Sequence, residues 1–147
     1  MFRPTAFRLA LILSLPLLAA GCATASDPAQ GHAAPAVAQV GGSWVGSVTV
    51  EGQAIDGTLE LTQDGAALQA QFSAPAFGLS AAGAGRVLAE GKVEIRLDYN
   101  MQCPGAADMD GTLSSDGKLL SGVLRATDCT GQMVGAFDFR RVDPGTR

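Results

Sequence analysis

The chain has 147 residues, 47% of them apolar and 16% charged, with a formal net charge of −4. This is enough for one small hydrophobic core, and the acidic balance excludes the electrostatic footprint of a nucleic-acid binder or of a protein held by charge on anionic lipid head groups. The only histidine is His32, so no histidine-based triad or zinc site can be assembled in the segment expected to fold.

The first predicted element is a leader. Arg3 and Arg8 make a positive start, and from Leu9 to Ala20 every residue except Ser14 is apolar, the leading parts of a secretory signal. Spanning a bilayer takes about 20 apolar residues, so this run is too short to do it. It ends in LLAAGC, residues 17–22, with Ala19, Ala20 and Gly21 ahead of Cys22. The hexapeptide resembles the lipobox of bacterial lipoproteins, departing from it only in Ala19, where the family favours leucine. The resemblance implies cleavage before Cys22 and acylation of that residue, palmitate included, on its sulfur and amine. Several chains hold a membrane stably where one is marginal. Secretion after ordinary signal cleavage is the alternative. Ala23 stands where an aspartate would retain an enteric lipoprotein at the inner membrane, which implies the outer membrane, facing the periplasm or the cell surface.

The leader carries two of the ten basic residues and none of the fourteen acidic ones, so the remainder has a net charge of −6. Residues 23–40, ATASDPAQGHAAPAVAQV, are small, proline-containing and without period, which reads as a flexible tether. The expected organisation is a signal peptide over 1–21, a lipidated tether over 22–40, one folded domain over 41–143 and a short tail over 144–147.

Within the domain, apolar residues alternate with polar or small ones, the period of strands that bury one face. KVEIRLDY, residues 92–99, is the cleanest case, with Val93, Ile95, Leu97 and Tyr99 on one side and Glu94, Arg96 and Asp98 on the other. Eight such runs cover 43–50, 55–63, 67–74, 79–88, 92–99, 107–114, 119–126 and 132–141. Eight antiparallel strands on one core close most economically into an up-and-down β-barrel, which removes sheet edges; a two-layer β-sandwich is the runner-up. Glycines recur on the inward face at Gly46, Gly57, Gly111, Gly122 and Gly135, where the absence of a side chain lets a strand coil sharply.

Gly42, Ser43 and Trp44 open the first strand, and Arg140 or Arg141 ends the last. This pattern resembles the calycins, the superfamily of lipocalins, avidins and fatty-acid-binding proteins. It implies that Trp44 sits at a closed end with one of the two arginines packed over its indole. No motif for biotin, retinoid or fatty acid accompanies it, so no specific ligand carries over, and no cofactor is expected.

Up-and-down connections alternate between the two barrel ends. The even ones contain Asp64-Gly65, Glu90-Gly91 and Asp116-Gly117, tight turns suited to positive φ. The odd ones contain the longer pieces 73–78, 100–107 and 127–132. The last two place Cys103 and Cys129 on neighbouring loops, and the odd total of three cysteines leaves these two to pair once Cys22 is lipidated.

Loops on a rigid scaffold are where binding concentrates, so the rim formed by Phe77, Met101, Pro104, Asp128 and Thr130 is the candidate contact surface. DMDG, residues 108–111, has two acids at calcium-like spacing but lacks the downstream glutamate of an EF-hand, and solvated hairpin acids account for it. No base, nucleophile or paired acid is gathered in the sequence, so the chain is expected not to be an enzyme. Strands of about eight residues favour a filled interior. The expectation is therefore a non-enzymatic binding or inhibitor-like module acting on an unknown envelope protein through its distal loops, with a carrier of a small lipophilic ligand as the alternative.

Overall fold

A computed structural model of the chain describes residues 36–143. The expected signal peptide, Cys22, residues 22–35 of the expected tether and the tail 144–147 lie outside the described residues. The alternating pattern forms eight strands: β1 (Gly42–Val50), β2 (Gln53–Asp64), β3 (Ala67–Ala74), β4 (Leu79–Val87), β5 (Lys92–Tyr99), β6 (Gly105–Leu113), β7 (Leu119–Asp128) and β8 (Gly131–Arg141). Each pairs antiparallel with the next, and β8 pairs back onto β1 from Trp44↔Arg141 to Val50↔Gly135. The sheet is thus a closed up-and-down barrel rather than a sandwich, and no strand edge is left open.

Burial follows the period of two. In β3 every second residue, Leu68, Ala70, Phe72 and Ala74, is buried, and in β5 Val93, Ile95 and Leu97 are. The outer wall carries short ion-pair rungs, Arg86–Glu94 at 2.7 Å, Arg96–Asp108 at 3.0 Å and Arg125–Asp110 at 2.7 Å. Asp108 and Asp110, the two acids of the calcium-like motif, are therefore outward-facing members of cross-strand pairs, each worth little on so exposed a surface.

The strands are longer than the alternation alone indicates. β2 starts at Gln53, β6 at Gly105, and β7 and β8 run to within two residues of each other, with Asp128 opposite Gly131. Residues 127–132, expected as a loop, are instead two strand ends joined by Cys129 and Thr130. The ladder is made by backbone groups, so pairing continues past the last apolar side chain. The turns behave as their residues require: φ is +58° at Gly65, +59° at Glu90 and +70° at Gly117, and the β1–β2 turn at the opposite end places Glu51 at +51° and Gly52 at +81°.

One end of the barrel is shut by the chain entering it. Val40 is fully buried, its N–H and that of Gly41 both donate to Gln63 Oε1 at 2.7 and 3.0 Å, and Gln63 Nε2 donates to Ala38 O at 2.9 Å. The folded domain therefore starts ahead of Gly41, because an apolar side chain among small residues finds the open bottom of the core. Trp44, also fully buried, donates its indole N–H to Val40 O at 3.0 Å. The Arg141 guanidinium lies 4.3 Å from the indole centroid and donates to Gly117 O, Gly41 O and Gln39 O at 2.9, 2.6 and 2.7 Å. Of the two candidate arginines it is Arg141 that covers Trp44. Arg140, opposite Val45 in the register, is exposed on the outer wall.

Candidate functional site

Packing density is graded along the barrel axis. Near the closed end the inward positions carry Trp44, Leu59, Leu68, Leu120 and Phe139, all essentially without solvent contact. Phe72 and Phe139 meet edge to face at 6.0 Å, and Phe72 of that pair faces the space above. Toward the other end the inward positions include the small Ala81, Ala107 and Ala126, all buried, and the interior is not filled. A cavity of about 320 Å³ opens there, its apolar wall including Val48, Leu97, Met109 and Leu124 and its floor Phe72. The expectation of a filled interior is corrected by this: Ala107 stands opposite Ala126, with Ala81 across the barrel wall, and these small side chains leave a space that Leu97, Met109 and Leu124 beside them do not fill.

The polar groups of the cavity gather at its mouth: Glu51, Gln53, Tyr99 and Asp128. Tyr99 ends β5 and Asp128 ends β7, and their side chains meet because β6 lies between with Gly105 opposite Tyr99. A Cβ on Gly105 would strike the Tyr99 phenol, so the glycine leaves the ring its place. The Tyr99 hydroxyl donates to Asp128 Oδ2 at 3.1 Å. The backbone N–H and hydroxyl of Thr130 donate to Asp128 Oδ1 at 2.7 and 2.6 Å, which also braces the β7–β8 turn.

Burial, and then the bond to Asp128, push the Tyr99 phenol above its ordinary value. The Thr130 hydroxyl, then its backbone N–H, hold Asp128 below the usual carboxylate range. The raised phenol favours the folded mouth below its ordinary pKa and loses that contribution as pH rises through the folded value. The lowered carboxylate favours it above the aspartate range and loses it as pH falls through the folded value. Across neutral pH the pair is therefore a neutral phenol donating to a carboxylate.

Cys103 and Cys129 form a disulfide, with Cα atoms 5.6 Å apart, that ties the β5–β6 loop to the β7–β8 turn beside this pair. The bond closes 26 residues, for which loop entropy gives a contribution of up to about 3.5 kcal/mol. Cys103→Ala with Cys129→Ala is expected to lower stability by about 2 to 3.5 kcal/mol in chemical denaturation while retaining the strand spectrum, since the bond holds loops and the core holds the barrel. A double variant as stable as the parent would contradict this.

Of the five rim residues expected to make contact, Met101 and Asp128 line the mouth. Thr130 serves by fixing Asp128, and Pro104 is exposed in the disulfide loop. Phe77, 39% exposed, lies on the single turn Pro75–Phe77 outside the cavity lining. Sequence reasoning held a hollow barrel only as the alternative to a filled one, and missed the pairing of Tyr99 with Asp128. The available signal was the run of small inward residues in β4, β6 and β7.

No protein-family model and no curated protein matches the chain. Among solved structures it is similar to EF1p2_mFAP2b bound to DFHBI, with a TM-score of 0.60 and 14% identity over 70% of this chain and 94% of that one. It is similar also to the redesigned β-barrel mFAP1 bound to DFHBI, at 0.55 and 19% over 69% and 94%. The bradavidin2–biotin complex gives 0.46 and 19% over 67% and 96%. The likeness to the first two is one of fold, and the closed eight-stranded barrel accords with the calycin-like architecture expected from Trp44 and the terminal arginines.

Proposed function

We propose that this chain is a lipid-anchored cell-envelope protein, most simply of the outer membrane, whose barrel binds a small, largely apolar molecule in its distal cavity without catalysing a reaction. The observation that carries the binding reading is the cavity: apolar walls, a packed aromatic floor, and four polar groups confined to the mouth, the construction expected of a small-molecule site. Its volume of about 320 Å³ is roughly twice that of the ~150 Å³ apolar cavity that accepts one benzene ring. Barrels of this fold can hold a small molecule, as EF1p2_mFAP2b and mFAP1 hold DFHBI. The anchor rests on residues 17–22, and Cys22→Ala is its test: the chain leaves the membrane fraction or keeps its leader uncut.

The binding reading is tested by extracting the full chain isolated from its envelope and analysing the extract by mass spectrometry. The wild type is expected to release one apolar species at close to one per chain. Ala126→Phe, which fills the cavity, is expected to release less than about a tenth of it while still unfolding cooperatively. Equal occupancy in the two would sink the reading. A second reading, contact between the distal rim and an envelope protein, is favoured by Phe77, which is exposed and serves no cavity. A crosslinked partner lost in Phe77→Ser with ligand occupancy unchanged would establish it.

A further inference from the structure

The mouth of the cavity is asymmetric in charge. Glu51 and Asp128 both border it, and among the described residues none that lines the cavity is basic. The arginines nearest in the register, Arg96 and Arg125, stand on the outer wall and are ion-paired to Asp108 and Asp110. The hydrogen-bond inventory points the same way. Asp128 is held by the Thr130 hydroxyl and N–H, by the Tyr99 hydroxyl and by the Gly131 backbone N–H, so its acceptor positions are largely used within the protein and what it offers the cavity is its charge. The Tyr99 hydroxyl has spent its proton on Asp128 and keeps only acceptor capacity toward the cavity. Of the four polar side chains at the mouth, Gln53 alone supplies a donor not already engaged within the group.

An entering molecule therefore meets apolar walls below and a ring dominated by acceptors and negative charge above. We propose that the ligand is an amphiphile of about two fused rings, or the aliphatic equivalent, whose polar end is a cation or a hydrogen-bond donor such as an ammonium, and that carboxylate-headed molecules are excluded. This rests on the cavity being a ligand site and adds to it the class of head group. The apolar body sits on the floor at Phe72, and the head lies at the level of Tyr99, Asp128 and Glu51. A carboxylate there would face two like charges with no guanidinium or ammonium among the described residues of the lining, whereas an ammonium would be drawn to both carboxylates and could donate to Glu51 and to the Tyr99 oxygen. Rim charges act over partly aqueous paths, so the preference falls as salt shortens the screening length.

Three probes sharing one ring system test this: 1-naphthylmethylammonium, 1-naphthylmethanol and 1-naphthoate, each titrated calorimetrically into the full chain at low salt. The ammonium is expected to bind at least about tenfold more tightly than the carboxylate, with the alcohol between them. Asp128→Asn and Glu51→Gln are each expected to reduce the ammonium-to-carboxylate ratio several-fold, and 0.5 M salt to compress it as well. Asn at 128 can still accept from Thr130, so the turn is retained. If the alcohol binds but the carboxylate matches the ammonium, or the ratio ignores both substitutions, the head-group assignment is overturned and the cavity reading stands. If none of the three binds, while Ala126→Phe also leaves the released species unchanged, the cavity reading falls and the assignment with it.

Discussion

Gly46→Val is expected to destabilise the barrel by more than about 4 kcal/mol, enough to leave little cooperative unfolding transition at 25 °C in a domain of this size. Gly46 faces inward on β1 between Gly57 of β2 and Phe139 of β8. A Cβ there would land on the Asp138 carbonyl oxygen and within 2.7 Å of the Phe139 Cα. These are backbone atoms of the neighbouring strand, so no side-chain rotation relieves the overlap, and the β1–β8 seam that closes the barrel has to open. Gly83 meets the same obstacle in the Arg96 carbonyl. The control is Gly52→Ala, where φ is +81° but nothing lies within 4 Å of the added carbon. It carries only the left-handed backbone penalty, about 1–2 kcal/mol. Denaturant midpoints for the two variants separate closure of the seam from conformational preference, and similar midpoints would contradict the close-approach argument.

What the sequence made readable was whatever large apolar side chains announce. Val93, Ile95 and Leu97 define β5 by their spacing, and Asp64-Gly65 and Asp116-Gly117 mark turns by the backbone they require, so strand order, parity of the ends and the Cys103–Cys129 neighbourhood all followed. The cavity is made of atoms that are missing. In β4, Ala81, Gly83 and Gly85 face inward yet give no hydrophobic period, and at Ala107 and Ala126 the same small side chains that weaken the strand signal also hollow the barrel. Tyr99 and Asp128 stand 29 residues apart and meet only through two strand registers, which composition does not encode. Arg141 was open to deduction: Phe137 and Phe139 face inward, and the next step of two is Arg141 rather than Arg140. Val40 was hidden by its surroundings, a single branched residue ending a small-residue tract that gave no sign of docking.

Trp44→Ala is expected to cost about 5 kcal/mol, at the upper end of large-to-small core changes, because Trp44 links three separate parts of the closed end. Its fully buried ring supplies the core contact, its N–H is the bond to Val40 O at 3.0 Å, and its face is the seat of Arg141 at 4.3 Å. Removing the ring leaves a cavity beside Val40 and releases a guanidinium whose other bonds hold Gly41, Gln39 and Gly117. Trp44→Phe keeps most of the area and the π-face but loses the N–H, so about 2 kcal/mol is expected. Arg141→Ala, which loses the stacking and three charge-assisted bonds partly replaced by water, is expected to cost about 2–3 kcal/mol. Arg141→Lys recovers less than half of that, since an ammonium cannot fork to three carbonyls while lying flat on an indole. Arg140→Ala, on the outer wall, is expected to stay within about 0.5 kcal/mol of the parent. Thermal unfolding of the set, with indole N–H exchange of Trp44 as a local probe, reads the coupling directly. In Arg141→Ala the indole proton should exchange faster than global unfolding requires, because the segment ending at Val40 has lost its clamp. If Arg140→Ala were as costly as Arg141→Ala, or if indole exchange tracked global stability alone, the closed end would owe its stability to ring burial and not to a latch joining the first strand, the last strand and the incoming chain.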